Sequence, residues 1–211
     1  MTNVVLNIHL SEMEDQWSWS GNGANEFSSN SVKKLIENNN PAFVNGEVAW
    51  EKTLPIKVNF FCWRALINRL PTREAISRRG IIIETQACPI CNSHPETVEH
   101  LLLNCPGTNM IWTSLSQWCN IPSFHVDSIR GLLDHSNNIN TTTSARKKIK
   151  LIFITAMWVI WKARNDTVFN NKLWNINRLV DDVKTWSSLW INNREKNGDS
   201  MWNSWSTYMS S

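Results

Sequence analysis

Cys88-Pro89-Ile90-Cys91-Asn92-Ser93-His94-Pro95-Glu96-Thr97-Val98-Glu99-His100-Leu101-Leu102-Leu103-Asn104-Cys105 decides how the rest of the chain is read. Cys88, Cys91, His100 and Cys105 follow the spacing C-x2-C-x8-H-x4-C. A tight Cys-x-x-Cys turn presents two sulfurs to one metal, and a His and a third Cys from a following helix can complete a tetrahedron around zinc. The competing reading is four ordinary buried side chains in a reduced protein. Geometry sets a condition on the metal reading. In an uninterrupted α-helix, residues five apart lie about 140° from each other around the axis, so His100 and Cys105 would not reach one ion. Asn104 and Pro106 supply a helix stop that lets Cys105 fold back toward the site. His94 is a rival fourth ligand, although Cys91-x2-His94-Pro95 would close a very small ring.

Outward from this motif, 211 residues suffice for one large domain or two small ones, with room for a real core. There is no apolar run long enough to span a bilayer, and the N-terminus lacks the pattern of a secretory signal. The expected location is therefore intracellular, nuclear or cytoplasmic or both, with no membrane partner. Five cysteines, an odd count, fit metal ligation plus spare thiols at Cys62 and Cys119 better than a disulfide framework.

The net charge of +3 is a weak argument for a polyanionic partner, but its distribution says more. Residues 55–80 hold six basic residues against one acidic, whereas residues 1–54 hold three against seven. The candidate phosphate-contacting residues are Lys57, Arg69, Arg73, Arg78 and Arg79, with Arg64 nearby. The alternative is that these arginines pair with Glu84, Glu96 and Glu99. Thirteen tryptophans are expected to act mostly as core anchors.

The hydrophobic pattern is mainly α-helical. Trp17-Ser18-Trp19 before Gly21-Asn22-Gly23 suggests a short N-terminal β-hairpin, and Ser31 suits a helix cap. Pro55 opens a helix whose apolar positions run from Val58 to Leu70, and Thr72 caps a shorter one closed by Gly80. Ile81 to Ile83 reads as a short strand leading into the motif. Beyond it, Met110 to Trp118 is amphipathic, and Pro122 to Thr143 reads as a loop or linker. A long helix from about Ala145 to Phe169 and a last one from Ile176 to Trp190 form a C-terminal pair. The basic entry of the long helix, Arg146, Lys147, Lys148 and Lys150, opposes the helix dipole and makes an anionic partner plausible. The expected organisation is a zinc-braced helical domain at 1–118, a linker at 119–144 and a Trp-rich helical region at 145–211.

Leu54-Pro55-Ile56-Lys57-Val58, Phe61-Cys62-Trp63-Arg64, Arg69-Leu70-Pro71-Thr72-Arg73, Arg79-Gly80-Ile81, the Cys-Pro-Ile-Cys turn, Glu99-His100-Leu101, Cys105 and Trp112 occur in that order. Together they resemble the zinc-binding domain that follows the reverse transcriptase in plant non-LTR (LINE-type) retrotransposons. Trp158-Val159-Ile160-Trp161-Lys162-Ala163-Arg164-Asn165 is similar to the helix that commonly follows that domain. The resemblance implies Cys88, Cys91, His100 and Cys105 as ligands of one structural Zn2+, and a nucleic-acid-binding accessory module of a polyprotein. RNA or single-stranded DNA, and a reverse transcriptase domain, are the implied partners. One departure stands inside the turn, where Asn92 replaces the family's usual Gly; Asn also tolerates the left-handed conformation.

Polymerase and nuclease motifs are not found, so no enzyme activity is expected, and the chain looks like a retroelement fragment or a gene derived from one. Asp181-Asp182, an adjacent acidic pair, reads as a solvated helix face. A different class of function, a zinc-folded interaction module whose Trp-rich helices dock on a polymerase domain, stands beside nucleic-acid binding.

Overall fold

The computed structural model describes residues 28, 31, 32 and 50–194. The expected hairpin at Trp17–Gly23 lies outside them. At Ser28 and Ser31 the two side chains cap each other's backbone N–H groups at 3.1 Å.

From residue 50 onward the regular elements among the described residues are helices, with one isolated antiparallel bridge, Ala87 to Pro95. Helix α1 spans Ile56–Leu66 and α2 Arg73–Ser77; a π-helical turn covers His100–Asn104; α3 spans Pro106–Trp118, α4 Ile129–Asn138, α5 Thr143–Asn170 and α6 Ile176–Arg194. The caps follow the sequence chemistry. Thr72, Ser128 and Thr142 accept from the backbone N–H three residues ahead, at Ala75, Gly131 and Ala145. Asn68 and Asn171 turn the chain in left-handed conformation after α1 and α5. The turn at Asn68 ends α1 earlier than the apolar spacing suggested, so Leu70 is buried but not helical.

Helix α5 is the core element. Leu151 to Met157 are all buried, as are Val159, Ile160 and Trp161, because α1, α4 and α6 pack around it. The short return at 171–175 lays α6 back on α5, and α6 also packs on α3. One hydrophobic cluster runs continuously from Leu54 to Ile191.

Two expectations are corrected. Ile81 to Ile83 form no strand: the segment has no pairing partner among the described residues, and Ile82 is 98 % exposed. The stretch expected as a linker contains α4, whose Ile129 and Leu132 are buried and which packs on α5; its polar composition reflects the solvent face of an amphipathic helix. Of the nine described tryptophans, Trp112, Trp161 and Trp190 are buried in the core and Trp118, Trp158 and Trp174 pack against it, in keeping with their expected anchoring role.

The basic entry of α5 is satisfied from within. Lys150 Nζ lies 2.7 Å from Glu51 Oε1, Arg146 donates to the Asn137 carbonyl at 3.2 Å, and Lys148 is buried. Of the four cations at this helix entry, Lys150 thus has a carboxylate partner within the chain.

Candidate metal centre

The Cys-x-x-Cys turn is built by backbone hydrogen bonds. Cys88 N–H donates to the His94 carbonyl at 2.7 Å, Asn92 N–H to the Cys88 carbonyl at 2.8 Å, and Glu96 N–H to the Gln86 carbonyl at 2.8 Å. Asn92 has φ +53°, so it occupies the left-handed position that Gly would fill most easily. The expectation that Asn preserves this turn is met.

The second half of the site uses a different device from the expected helix stop alone. Cys105 N–H donates to the His100 carbonyl at 2.7 Å, an i to i−5 bond that widens one turn into a π-helix. This wider turn brings residue i+5 back above residue i, which an α-helix does not do. Cys105 then adopts extended dihedrals, and Pro106 begins α3. The altered ladder leaves two carbonyls for side chains. Thr108 Oγ1 donates to Leu101 O and Trp112 Nε1 to Leu102 O, both at 2.8 Å and both buried.

As a result the ligand atoms of Cys88, Cys91, His100 and Cys105 all lie within 4.8 Å of one another. Cys88 and Cys105 sulfurs are 3.9 Å apart, and Cys91 Sγ is 3.3 Å from His100 Nε2. Around a tetrahedral zinc, thiolate sulfurs stand about 3.8 Å apart. The donor set therefore fits one Zn2+ with all four positions filled by protein. His94 is outside this group; its exposed ring stacks on His100 at 5.2 Å between centroids.

Hydrogen bonding and burial set the protonation of the two nearest sulfurs. The Cys88 thiol is pushed up because it donates a hydrogen bond to Cys105 and because it is buried, while accepting that bond holds Cys105 below the usual thiol range. A cation relieves this shared-proton arrangement by taking both sulfurs as thiolates. Burial, and then the adjacent His94, lower the His100 pKa, which keeps the imidazole in its neutral, ligating form. Cys62 and Cys119, buried away from the site, are both pushed up to about 12 by desolvation and are inert thiols.

Sequence reasoning missed the residue that anchors the site. Arg164 Nε donates to Glu96 Oε1 and Arg164 Nη2 to Glu96 Oε2, each at 2.6 Å, with side-chain exposures of 3 % and 0 %. Glu96 Oε2 also accepts Arg73 N–H at 2.7 Å, and the Arg73 guanidinium donates to the Ala87 carbonyl at 2.7 Å. Glu96 thus joins α2, the Cys turn and α5 at one point. The signal was an acidic residue within a metal motif and an Arg on the apolar face of a long helix, and nothing in spacing pairs them across 68 positions.

The five candidate phosphate-contacting residues are placed unequally. Lys57, Arg69, Arg78 and Arg79 are exposed, whereas Arg73 is half-buried and committed to Ala87. Arg78 pairs with Glu74 at 2.8 Å, while the Lys57 ammonium lies 6.0 Å from the Trp158 ring. Arg69 and Arg79 have no side-chain partner among the described residues. The alternative, pairing of these guanidinium groups with Glu96, does not occur; Arg164 holds that carboxylate.

Residues 27–112 match the family described as zinc-binding in reverse transcriptase. The match covers 86 of the 211 residues. It contains the whole ligand set and ends at Trp112, so α5 and Arg164 lie beyond it. The family is an accessory zinc-binding domain rather than a catalytic one. The chain is also 24 % identical over 190 residues to an Arabidopsis thaliana protein named "Putative ribonuclease H protein", an alignment covering 87 % of this chain and 30 % of that protein. The chain therefore spans less than a third of the length of this relative. No solved structure matches. No helix among the described residues is long and apolar enough to cross a membrane.

Proposed function

We propose that this chain is an accessory nucleic-acid-binding module of a retroelement-type protein, folded around one structural zinc held by Cys88, Cys91, His100 and Cys105. When bound, zinc supplies no reaction chemistry; four protein ligands leave no position for water or substrate. The ligands' role is to hold the Cys turn against the π turn, which fixes α2 through Glu96 and Arg73.

The observation that carries the nucleic-acid reading is the run from Pro55 to Arg73, which contains no acidic residue, with Lys57 and Arg69 exposed on it and Arg79 exposed shortly after. Such cations contact phosphates without reading sequence. RNA and single-stranded DNA are the partners this reading favours, and a nuclear or cytoplasmic location goes with it. The test is binding of the zinc-loaded chain to labelled RNA and DNA across a salt series. Replacing Lys57, Arg69 and Arg79 together by Gln is expected to lower the slope of log affinity against log salt by about 2, at roughly 0.7 for each phosphate no longer neutralised on a single strand. An unchanged slope refutes the assignment of these residues.

A second reading has its own observation. Phe169 and Leu173 at the α5–α6 turn, and Trp186 and Leu189 on α6, are exposed apolar side chains on the C-terminal pair. This surface suits docking on another domain, such as a polymerase, and binding to such a domain that survives the triple Gln variant would favour it.

A further inference from the structure

We propose that the outer face of α1 is a base-stacking platform, which makes the module a binder of single strands in preference to duplex. The inference rests on the nucleic-acid reading above and adds a site to it. At 100° per residue, Trp63, Ile56, Phe60, Arg64 and Lys57 fall in order along one arc of about 120°, while Val58, Asn59, Phe61, Cys62 and Ala65 take the buried side. The outward arc of a helix in a folded domain is normally polar. Here it carries Ile56 and Phe60 openly to solvent, the latter 48 % exposed, and the half-buried Trp63 beside them.

The two aromatic rings are already organised. Phe60 and Trp63 stand 5.3 Å apart between centroids at 42°, so Trp63 supports one side of Phe60 and leaves the rest of that ring to solvent. Cations border the pair along the helix. Lys57 lies one turn before Phe60, and Arg64 one turn after it. The Arg64 guanidinium is turned toward the end of α1 by donating to the Arg69 carbonyl at 2.8 Å, beside the exposed Arg69. No carboxylate from this stretch interrupts the surface, since residues 55–73 contain neither Asp nor Glu.

This composition specifies its occupant. An apolar protein partner would not require three cations around two rings, and a duplex offers phosphates but hides its base faces. A single strand offers both, with phosphates for Lys57, Arg64 and Arg69 and unstacked bases for Phe60 and Trp63. Recognition by stacking is tolerant of sequence because every base has a π-face.

The test uses the zinc-loaded full chain with a fluorescein-labelled 20-mer of uridine or thymidine and a blunt duplex of equal length. Phe60→Ala removes the exposed ring from a surface position and is expected to weaken single-strand binding roughly 5- to 100-fold while leaving duplex binding unchanged. Phe60→Trp is expected to restore it. A Phe60→Ala variant that binds single strands within twofold of wild type, or that loses single strand and duplex equally, overturns the platform. In either case salt-dependent binding through Lys57, Arg69 and Arg79 still upholds the broader reading. Absence of binding to every nucleic acid at low salt overturns both.

Discussion

Breaking the Arg164–Glu96 pair tests how the zinc region is joined to the C-terminal helices. Both side chains are essentially sealed from solvent, and the two 2.6 Å contacts are parallel and bidentate. Arg164→Met removes one partner and strands a carboxylate whose Oε2 keeps the Arg73 N–H as its donor. An uncompensated buried charge costs about 3–5 kcal/mol, a large part of the 5–15 kcal/mol that stabilises a typical domain. Replacing both partners, as Arg164→Met with Glu96→Gln, removes both charges and should recover about half of the loss or more, because the Gln amide keeps an acceptor for Arg73 N–H. The assay is urea unfolding of the zinc-loaded chain followed by tryptophan fluorescence, with zinc retention measured in parallel by a chromogenic chelator. The single variant should also release zinc at lower urea than wild type, since Glu96 sits between the Cys turn and the π turn. A loss below about 1 kcal/mol for Arg164→Met, or a double variant less stable than the single one, would refute this account of the pair.

Four other outcomes follow from the same geometry. Thiol titration should find no fast-reacting sulfur in the zinc-loaded chain, three after chelation (Cys88, Cys91 and Cys105), because loss of the ion frees the Cys turn from the π turn, and five only on unfolding, because Cys62 and Cys119 lie among the packed helices. Their folded pKa values, about 12 against 9.0 unfolded, are raised, so the stability they contribute is full below pH 9 and is lost as pH climbs from 9 toward 12; Cys62→Ala with Cys119→Ala should flatten that alkaline loss in a pH series of melts. A methyl group at Gly107 would lie 2.7 Å from Ile90 Cγ2 and 3.2 Å from Trp174 Nε1, so Gly107→Ala should cost about 1–3 kcal/mol, with Ile90→Ala in the same chain reducing the penalty in chemical denaturation. Trp112→Phe leaves the Leu102 carbonyl without its side-chain donor and should cost about 1–3 kcal/mol by the same measurement, whereas a change at exposed Trp50 should cost under about 0.5 kcal/mol.

Local chemistry was legible where one residue acts on its own neighbourhood. Thr72 caps α2, Gly80 closes it at φ +79°, and Asn92 takes the left-handed corner of the Cys turn; each depends on side-chain size or hydrogen bonding within a few residues. The 3.6-residue period located α1, α3, α5 and α6 because each buries a face large enough to dominate its sequence pattern. It failed at α4, where only Ile129, Leu132 and Ser136 are buried in a helix of otherwise mostly polar residues. It also misled at Ile81 to Ile83, since β-branched composition has no force without a neighbouring strand to pair with.

The spacing of the four ligands was a firmer guide than the backbone expected to deliver them, and the reason lies in the π turn. The helix does stop at Cys105, where Asn104 and Pro106 led one to expect it, but the chain first lengthens one hydrogen-bonded loop, from Cys105 N–H to His100 O, and this keeps both ligands on one side. That solution is favourable only because Thr108 and Trp112, on the following helix, supply donors for Leu101 O and Leu102 O. Ligand identity is therefore written in the motif, but ligand placement depends on residues up to 12 positions away from His100 in sequence, and on Arg164 a further 52 beyond Trp112. The family match ends at Trp112, yet the carboxylate that ties the Cys turn down is neutralised from α5. Residues 27–112 thus hold every zinc ligand without holding everything that keeps those ligands in place.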